Sequence, residues 1–222
     1  MKEAGQVYRL GVLVSGRGTN LEALIKAQQA GKLGAEIGVV ISDNPRAEAL
    51  KKASSHGIDC QVIDPALYPG RIEFDRALRL ALEKYRVELV VLAGFLRILS
   101  TEFLEAFPAR AVNIHPSLLP AFPGLRAQQQ AWEYGVKYSG CTVHFVDGEL
   151  DGGPIIAQAV VPVFSEDTPE SLAARILMEE HKLYPQVISW LAQGWVKIVG
   201  RKVIIDKSKD QEEEAICAKD GL

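Results

Sequence analysis

The first half of the chain alternates short apolar segments rich in β-forming residues with longer segments whose apolar residues recur at helical spacing. Tyr8–Val14 and Glu36–Ile41 are typical of strands, and Leu21–Ala30 and Arg71–Tyr85 are typical of amphipathic helices. Glu88–Ala93 is almost continuously apolar, which indicates a central strand buried on both faces. The alternation predicts an α/β fold: a Rossmann-like, open, mostly parallel sheet with helices on both faces.

The second half of the chain has a different pattern. Cys141–Val146 and Ile155–Val163 are β-rich and are joined by the turn-forming sequence DGELDGGP, so we expect antiparallel strands added to the sheet. Thr168 followed by a proline predicts the start of a long helix. We expect that helix to end near Tyr184 and a new segment to begin at Pro185.

Composition narrows the class of protein. The chain has 222 residues, a net charge of −3 and three widely spaced cysteines. This balance gives no electrostatic case for nucleic acid or an anionic membrane, and no apolar run approaches the roughly 20 residues that span a bilayer. We therefore expect a cytoplasmic, metal-free protein that acts on small molecules, as a monomer or a homodimer. Residues 1–205 are predicted to form one domain and residues 206–222 a charged tail.

The sequence SGRGTN (15–20) lies between the first predicted strand and the first predicted helix. Gly16 and Gly18 let the backbone approach a ligand, and the amides of Thr19 and Asn20 at the helix start suit an anion. The third position of a dinucleotide-binding GxGxxG pattern is Leu21 here, and there is no P-loop lysine. A single phosphate is the better fit, although a tight turn that only caps a helix would also give this sequence.

The sequence NIHPSLLP (113–120) follows another predicted strand. Asn113 and His115 are two residues apart and so face the same side, and Pro116 restrains the backbone of His115. Asp151, in a glycine-rich turn, is the candidate carboxylate partner of the imidazole. These three side chains suit oxyanion stabilisation and proton transfer on an acyl group. A half-buried histidine in a proline-rich turn is the competing interpretation.

Seven segments in order make the chain similar to the phosphoribosylglycinamide formyltransferases, folate-dependent enzymes of purine synthesis. The resemblance extends over about residues 7–198 and is more specific than any one segment. The segments are SGRGTN, LAGFLRILS (92–100), NIHPSLLP, FPG (122–124), GCTVHFVD (140–147), LDGGPI (150–155) and EEHKLYP (179–185).

The resemblance implies transfer of a formyl group from 10-formyltetrahydrofolate, as co-substrate, to the amine of phosphoribosylglycinamide by direct attack. Asn113 matches the oxyanion-stabilising, folate-contacting asparagine, His115 the general acid, and Asp151 the aspartate that favours the charged form of that histidine. The positions implied to bind the phosphoribosyl substrate are Gly18, Thr19, Asn20 and Glu180, and those implied to bind folate are Arg71, Leu96, Arg97, Ile98, Leu99 and Asn113.

Several alternatives remain at this point. A formyltetrahydrofolate hydrolase would use water in place of the amine, and a non-catalytic nucleotide- or phosphate-binding module would need only the phosphate loop. His144 could join His115 and Asp151 in a metal site, but the spacing matches no compact ligand motif. Arg126 stands where many bacterial members of the family carry a histidine, which leaves the substrate side of that loop uncertain.

Overall fold

Seven strands form one sheet in the computed structural model, which describes residues 7–208. An eighth and a ninth strand, β8 (Val196–Val199) and β9 (Lys202–Ile205), form a separate antiparallel hairpin. The strands of the main sheet are β1 (Arg9–Val14), β2 (Glu36–Ser42), β3 (Cys60–Val62), β4 (Leu89–Leu92), β5 (Ala111–His115), β6 (Tyr138–Phe145) and β7 (Ile155–Pro162).

The strand order is β3-β2-β1-β4-β5-β6-β7. The five strands from β3 to β5 are parallel, and β6 and β7 add antiparallel to the β5 edge. The order reverses between β1 and β4, because the chain first builds the sheet outward through β2 and β3 and then returns to the other side of β1. The mostly parallel, Rossmann-like sheet with antiparallel strands in its second half is thus confirmed.

The helices cover both faces of the sheet, as the sequence predicts. They are α1 (Thr19–Gln29), α2 (Glu48–Ser55), α3 (Arg71–Lys84), α4 (Thr101–Ala106), α5 (Ala127–Tyr134) and α6 (Pro169–Ala192), with a 3₁₀ turn at Pro65–Leu67. One hydrophobic cluster packs α1, α2, α5 and α6 on one face, and a second packs α3 and α4 on the other. No helix within residues 7–208 is long and apolar enough to cross a membrane.

The start of α6 is as predicted, but its predicted end is wrong. Thr168 caps the helix: its side chain accepts from the amide of Ser171, whose hydroxyl accepts from the Thr168 amide in return. The helix then continues through Pro185 for another seven residues. A proline inside a helix removes one backbone hydrogen bond, but buried Tyr184 and Ile188 continue the same apolar stripe across it, so packing outweighs the loss.

Other segments differ from the sequence pattern in smaller ways. The spacing of apolar residues in α3 predicts that Ile72 faces the core, but its side chain is 42% exposed. Phe74 is buried there instead. The hairpin β8–β9 and the helix α5 have no clear periodicity and are not predicted. The proposed charged tail at 206–222 lies almost wholly outside the described residues, so the division of the chain into domain and tail stays a prediction.

Tyr184 on α6 links the helix to the centre of the sheet. Its fully buried hydroxyl lies 2.8 Å from the carbonyl oxygen of Leu92 and 3.1 Å from that of Val112. Leu92 is the last residue of β4, and Val112 is the second residue of the neighbouring strand β5. Burial raises the pKa of Tyr184 well above its ordinary value, so the hydroxyl keeps its proton and donates at neutral pH.

Replacing Tyr184 with phenylalanine is expected to lower the free energy of unfolding by about 1–3 kcal/mol, because two buried carbonyls lose a donor that water cannot replace. Urea denaturation of Tyr184→Phe measures the change. The matched control is Tyr134→Phe, since that ring is 80% exposed and its change should stay within about 0.5 kcal/mol. Equal midpoints for the two variants would contradict the assignment.

Candidate active site

A cavity of about 630 Å³ opens at the carboxyl ends of β1, β4 and β5. This is the point where the strand order reverses, and open α/β sheets bind ligands at such points. The loops after these three strands line the cavity: SGRGTN after β1, residues 94–99 after β4, and the segment from Asn113 after β5. The cavity has the size of a small-molecule site.

Asn113 and His115 enter this cavity from the last residues of β5. They are two positions apart, so the alternation of the strand places both side chains on one face. The antiparallel neighbour β6 pairs His144 with Asn113 and Thr142 with His115. His115 is only 4% exposed, so its imidazole is held by protein groups rather than by solvent.

Asp151 lies in the connection between β6 and β7, and its side chain is 10% exposed. One carboxylate oxygen, Oδ2, lies 3.3 Å from Nδ1 of His115 and accepts a 2.7 Å hydrogen bond from the amide of Gly124. The backbone of Asp151 has φ +50°, an uncommon conformation for a residue with a side chain. Gly153 holds the turn close to the sheet, because a Cβ there would lie 1.9 Å from the carbonyl oxygen of Phe145.

The second ring nitrogen of His115 also has an acceptor. Nε2 lies 2.8 Å from the carbonyl oxygen of Phe122, in the loop that follows the cis Leu119–Pro120 peptide bond. The two ring nitrogens therefore face a carboxylate and a carbonyl, neither of which can donate. Both ring nitrogens thus lie beside oxygens that can only accept a hydrogen bond.

His144 completes the cluster, and its place beside Asn113 was missed from the sequence. Its Nδ1 lies 2.8 Å from the carbonyl oxygen of Phe145, so this nitrogen carries the proton. Burial lowers the pKa of His144, and in the neutral ring Nε2 accepts from the Asn113 amide at 3.3 Å. The 3.7 Å approach of Nε2 to Asp151 is thus not an ion pair. His144 lies beside Asn113 because β5 and β6 pair antiparallel. A single sequence does not show which residues of two strands face each other.

The His144 contact orients the amide of Asn113. Because Nε2 of neutral His144 can only accept, the group that faces it must be the Asn113 NH₂ and not the carbonyl oxygen. One hydrogen of that NH₂ is used in the contact, and the second remains for a ligand in the cavity. Asn113 is therefore fixed as a donor toward the cavity.

The SGRGTN loop lies at another wall of the same cavity. Gly18 caps α1 in the left-handed conformation with φ +68°, and a Cβ there would lie 2.6 Å from Cβ of Ala49. Thr19 and Asn20 line the cavity, whereas Gly18 only shapes the turn. The Nδ2 atom of Asn20 donates to Oε2 of Glu180 at 2.7 Å. Glu180 is 6% exposed, and burial raises its pKa.

The residues implied to contact folate fall around two adjoining cavities. Leu96, Arg97 and Ile98 line both the main cavity and a second one of about 500 Å³, Leu99 lines the main one, and Arg71 lines the second. The Arg97 guanidinium lies 2.7 Å from the carboxylate of Asp43 and stacks on a phenylalanine ring, so it is held in place rather than free in solvent. The Arg71 guanidinium donates to the carbonyl oxygen of Leu99.

Two further expectations concern Arg126 and metals. Arg126 lines the main cavity and begins α5 with φ +59°, so the substitution lies beside the site and not in the Asn113–His115–Asp151 cluster. Within residues 7–208 no group of three or more His, Cys, Asp or Glu side chains is arranged to hold a metal ion.

Known proteins that are similar to the chain agree on one family. The family model described as "Formyl transferase" matches residues 8–188. The chain is 44% identical to phosphoribosylglycinamide formyltransferase of Escherichia coli, over 84% of this chain and 88% of that protein. It is 45% identical to human trifunctional purine biosynthetic protein adenosine-3 over 86% of its own length, but it spans only 19% of the human protein.

Solved structures give the same result. The crystal structure of glycinamide ribonucleotide transformylase 1 from Symbiobacterium toebii superimposes with a TM-score of 0.90 and is 51% identical, covering 93% of this chain and 98% of that one. A family model that matches most of the chain, together with relatives of this identity and coverage, is sufficient for assignment. The chain belongs to the formyl transferase family.

Proposed function

We propose that this chain transfers the formyl group of 10-formyltetrahydrofolate to the amine of phosphoribosylglycinamide, a step of purine biosynthesis. One observation carries the proposal: Asn113, His115 and Asp151 meet in one cavity that is also lined by the phosphate loop and by the Leu96–Leu99 segment. A donor amide, an imidazole and its carboxylate are the groups that acyl transfer needs. Two relatives whose names state this activity match this chain over nearly their whole length.

In the proposed reaction the substrate amine attacks the formyl carbon directly, and the carbonyl oxygen becomes an oxyanion. The free NH₂ hydrogen of Asn113 and an N–H of His115 donate to that oxygen, where negative charge develops in the transition state. For this, the formyl oxygen replaces the Phe122 carbonyl as the acceptor at Nε2 of His115. The intermediate collapses as the bond between carbon and the folate nitrogen breaks. The amine loses one proton and the folate nitrogen gains one, so no proton is consumed overall.

Asp151 supports His115 in this scheme. Its carboxylate lies 3.3 Å from Nδ1 of the imidazole, where it orients the ring and stabilises positive charge on it. The Gly124 amide holds the carboxylate from the opposite side, so the pair keeps one geometry before substrate arrives. Among residues 7–208, the side chains that line the cavity include no serine or cysteine, which supports direct attack by the substrate amine.

The two substrates approach from opposite walls. The amides at the start of α1 have no carbonyl partners within the helix and suit the phosphate of the acceptor, and Glu180 can accept from hydroxyls of its sugar. The largely apolar Leu96–Leu99 segment suits the pterin and aromatic rings of folate, and Arg71 in the adjoining cavity suits a carboxylate of its glutamate. The reactive groups then meet above Asn113 and His115.

Replacing Asp151 with asparagine is expected to lower kcat about 100-fold or more, because His115 loses its anionic partner while the shape of the side chain is kept. Spectroscopic detection of tetrahydrofolate release with both substrates present measures the rate. Glu105→Gln is the matched control: it removes one carboxylate from an exposed site on α4, and we expect wild-type rates. Full activity of Asp151→Asn would remove Asp151 from the mechanism.

The same assay separates transfer from hydrolysis. With 10-formyltetrahydrofolate alone, the wild type is expected to release tetrahydrofolate at under about a hundredth of the rate seen with phosphoribosylglycinamide, because water lacks the phosphate anchor that positions the amine. Equal rates with and without the amine would favour the hydrolase. Folate binding without turnover under either condition would favour a non-catalytic module.

Replacing Glu180 with glutamine is expected to stabilise the folded protein and to weaken binding of the acceptor substrate. Burial raises the pKa of Glu180 in the folded state above its value in the unfolded chain. At pH values where the glutamate of the unfolded chain is ionised, this group therefore lowers the free energy of unfolding. Glutamine keeps an oxygen for Asn20 without the charge. We therefore expect the variant to be more stable than wild type at pH 7 and the difference to vanish at pH values below the ordinary pKa of a glutamate.

Urea denaturation of wild type and Glu180→Gln at pH 7 and at pH 3.5 measures this difference. The acceptor-substrate KM should rise in the same variant, since the proposed sugar contact weakens. Glu133→Gln, an exposed position on α5, is the control and should change neither quantity. A Glu180→Gln protein that is less stable than wild type at pH 7 would contradict the account of the buried carboxyl.

A further inference from the structure

Beyond the range of the family model, the hairpin β8–β9 reaches back to the connection that carries Asp151. Arg201, at the turn of the hairpin, donates from Nη2 to the carbonyl oxygen of Gly152 at 2.6 Å. The two residues are 49 positions apart in the chain. Gly152 directly follows Asp151, so this charge-assisted hydrogen bond holds the peptide that joins Gly152 to Gly153, one peptide unit beyond Asp151.

The connection from Asp147 to Gly153 needs support from outside. Asp151 has a left-handed backbone with φ +50°, which costs about 1 kcal/mol for a residue with a side chain and persists only where its surroundings hold it. From the cavity side the carboxylate is held by the Gly124 amide and by His115. On the outer side the contact with Arg201 holds the Gly152 carbonyl.

The hairpin is a firm base for this contact. Val196, Val203 and Ile205 pack against the main hydrophobic cluster beneath the sheet. The amide of Asp206 donates to the carbonyl oxygen of Trp195 at 2.8 Å, which closes the base of the hairpin. Lys207 lies over the Trp195 ring at 5.2 Å. The turn at Arg201 is therefore anchored to the core at the far end of the hairpin.

We propose that Arg201 is a positioning residue for formyl transfer: the hairpin β8–β9 holds the Gly152 carbonyl through Arg201 and so keeps the Asp151 carboxylate aligned with His115. The inference rests on the proposed function. Arg201 touches neither substrate in this account and acts only through Asp151. Its effect therefore falls on kcat and leaves the binding of both substrates unchanged.

Arg201→Ala tests the proposal, with Arg201→Lys as the conservative variant and Lys202→Ala as the matched control. Lys202 is the exposed neighbour on the same hairpin. We expect Arg201→Ala to lower kcat about 3- to 10-fold, with both KM values within about twofold of wild type, since a misplaced catalytic group lowers the rate without weakening binding. Arg201→Lys should recover most of the rate, and Lys202→Ala should match wild type.

Two further readouts separate positioning from a general loss of structure. In the Asp151→Asn background, Arg201→Ala should cause no additional loss of kcat, because the group it aligns is already gone. Amide hydrogen exchange over residues 149–153 should be faster in Arg201→Ala than in wild type or Lys202→Ala. A wild-type kcat in Arg201→Ala, or the same fold loss in both backgrounds, would overturn the proposal.

The exchange measurement also keeps this inference separate from the proposed function. If the wild type transfers no formyl group to phosphoribosylglycinamide, the proposed function fails on its own terms. Faster exchange in Arg201→Ala would still support the hairpin as the support of the Asp151 connection, and unchanged exchange would overturn it.

Discussion

The site depends on one buried carboxylate. Asp151 is 10% exposed, and a buried anion is stable only where hydrogen-bond donors replace the water it has lost. The amide of Gly124 donates to it, and Nδ1 of the imidazole at the end of β5 lies 3.3 Å away, so its partners come from two different parts of the chain. The contacts of this one carboxylate therefore hold three segments together: the β6–β7 connection, the carboxyl end of β5 and the loop before α5.

The topology of the sheet explains why these segments can meet. Parallel strands deliver their following loops to one edge, and the reversal between β1 and β4 leaves a gap there that becomes the cavity. The β6–β7 connection begins beside Val112, which pairs with Phe145, and folds back so that Asp151 lies against His115 and lines the same cavity. The SGRGTN loop, the Leu96–Leu99 segment and the Asn113–His115–Asp151 cluster thus share one opening.

Much of this could be predicted from the sequence, and the reasons for the rest are physical. The predicted bounds of strands and helices with strong periodicity lie within a few residues of the observed ones. Asn113, His115 and Asp151 could be singled out because an amide, an imidazole and a carboxylate are side chains that suit acyl transfer. The continuation of α6 through Pro185 was not predicted, because packing of Tyr184 and Ile188 overrides the local effect of a proline. Backbone groups such as the Gly124 amide have no residue signature, and the contact of His144 with Asn113 depends on strand register, which a single sequence does not reveal.

The central claim is that His115 and Asp151 act as one unit in formyl transfer. A double-mutant cycle on kcat/KM with His115→Ala, Asp151→Asn and the combined variant measures this most directly. The account predicts that the combined variant is no more than about threefold slower than the slower single variant, because either change already disables the pair. Losses that multiply, so that the combined fold loss equals the product of the single ones, would show two independent residues and contradict the account.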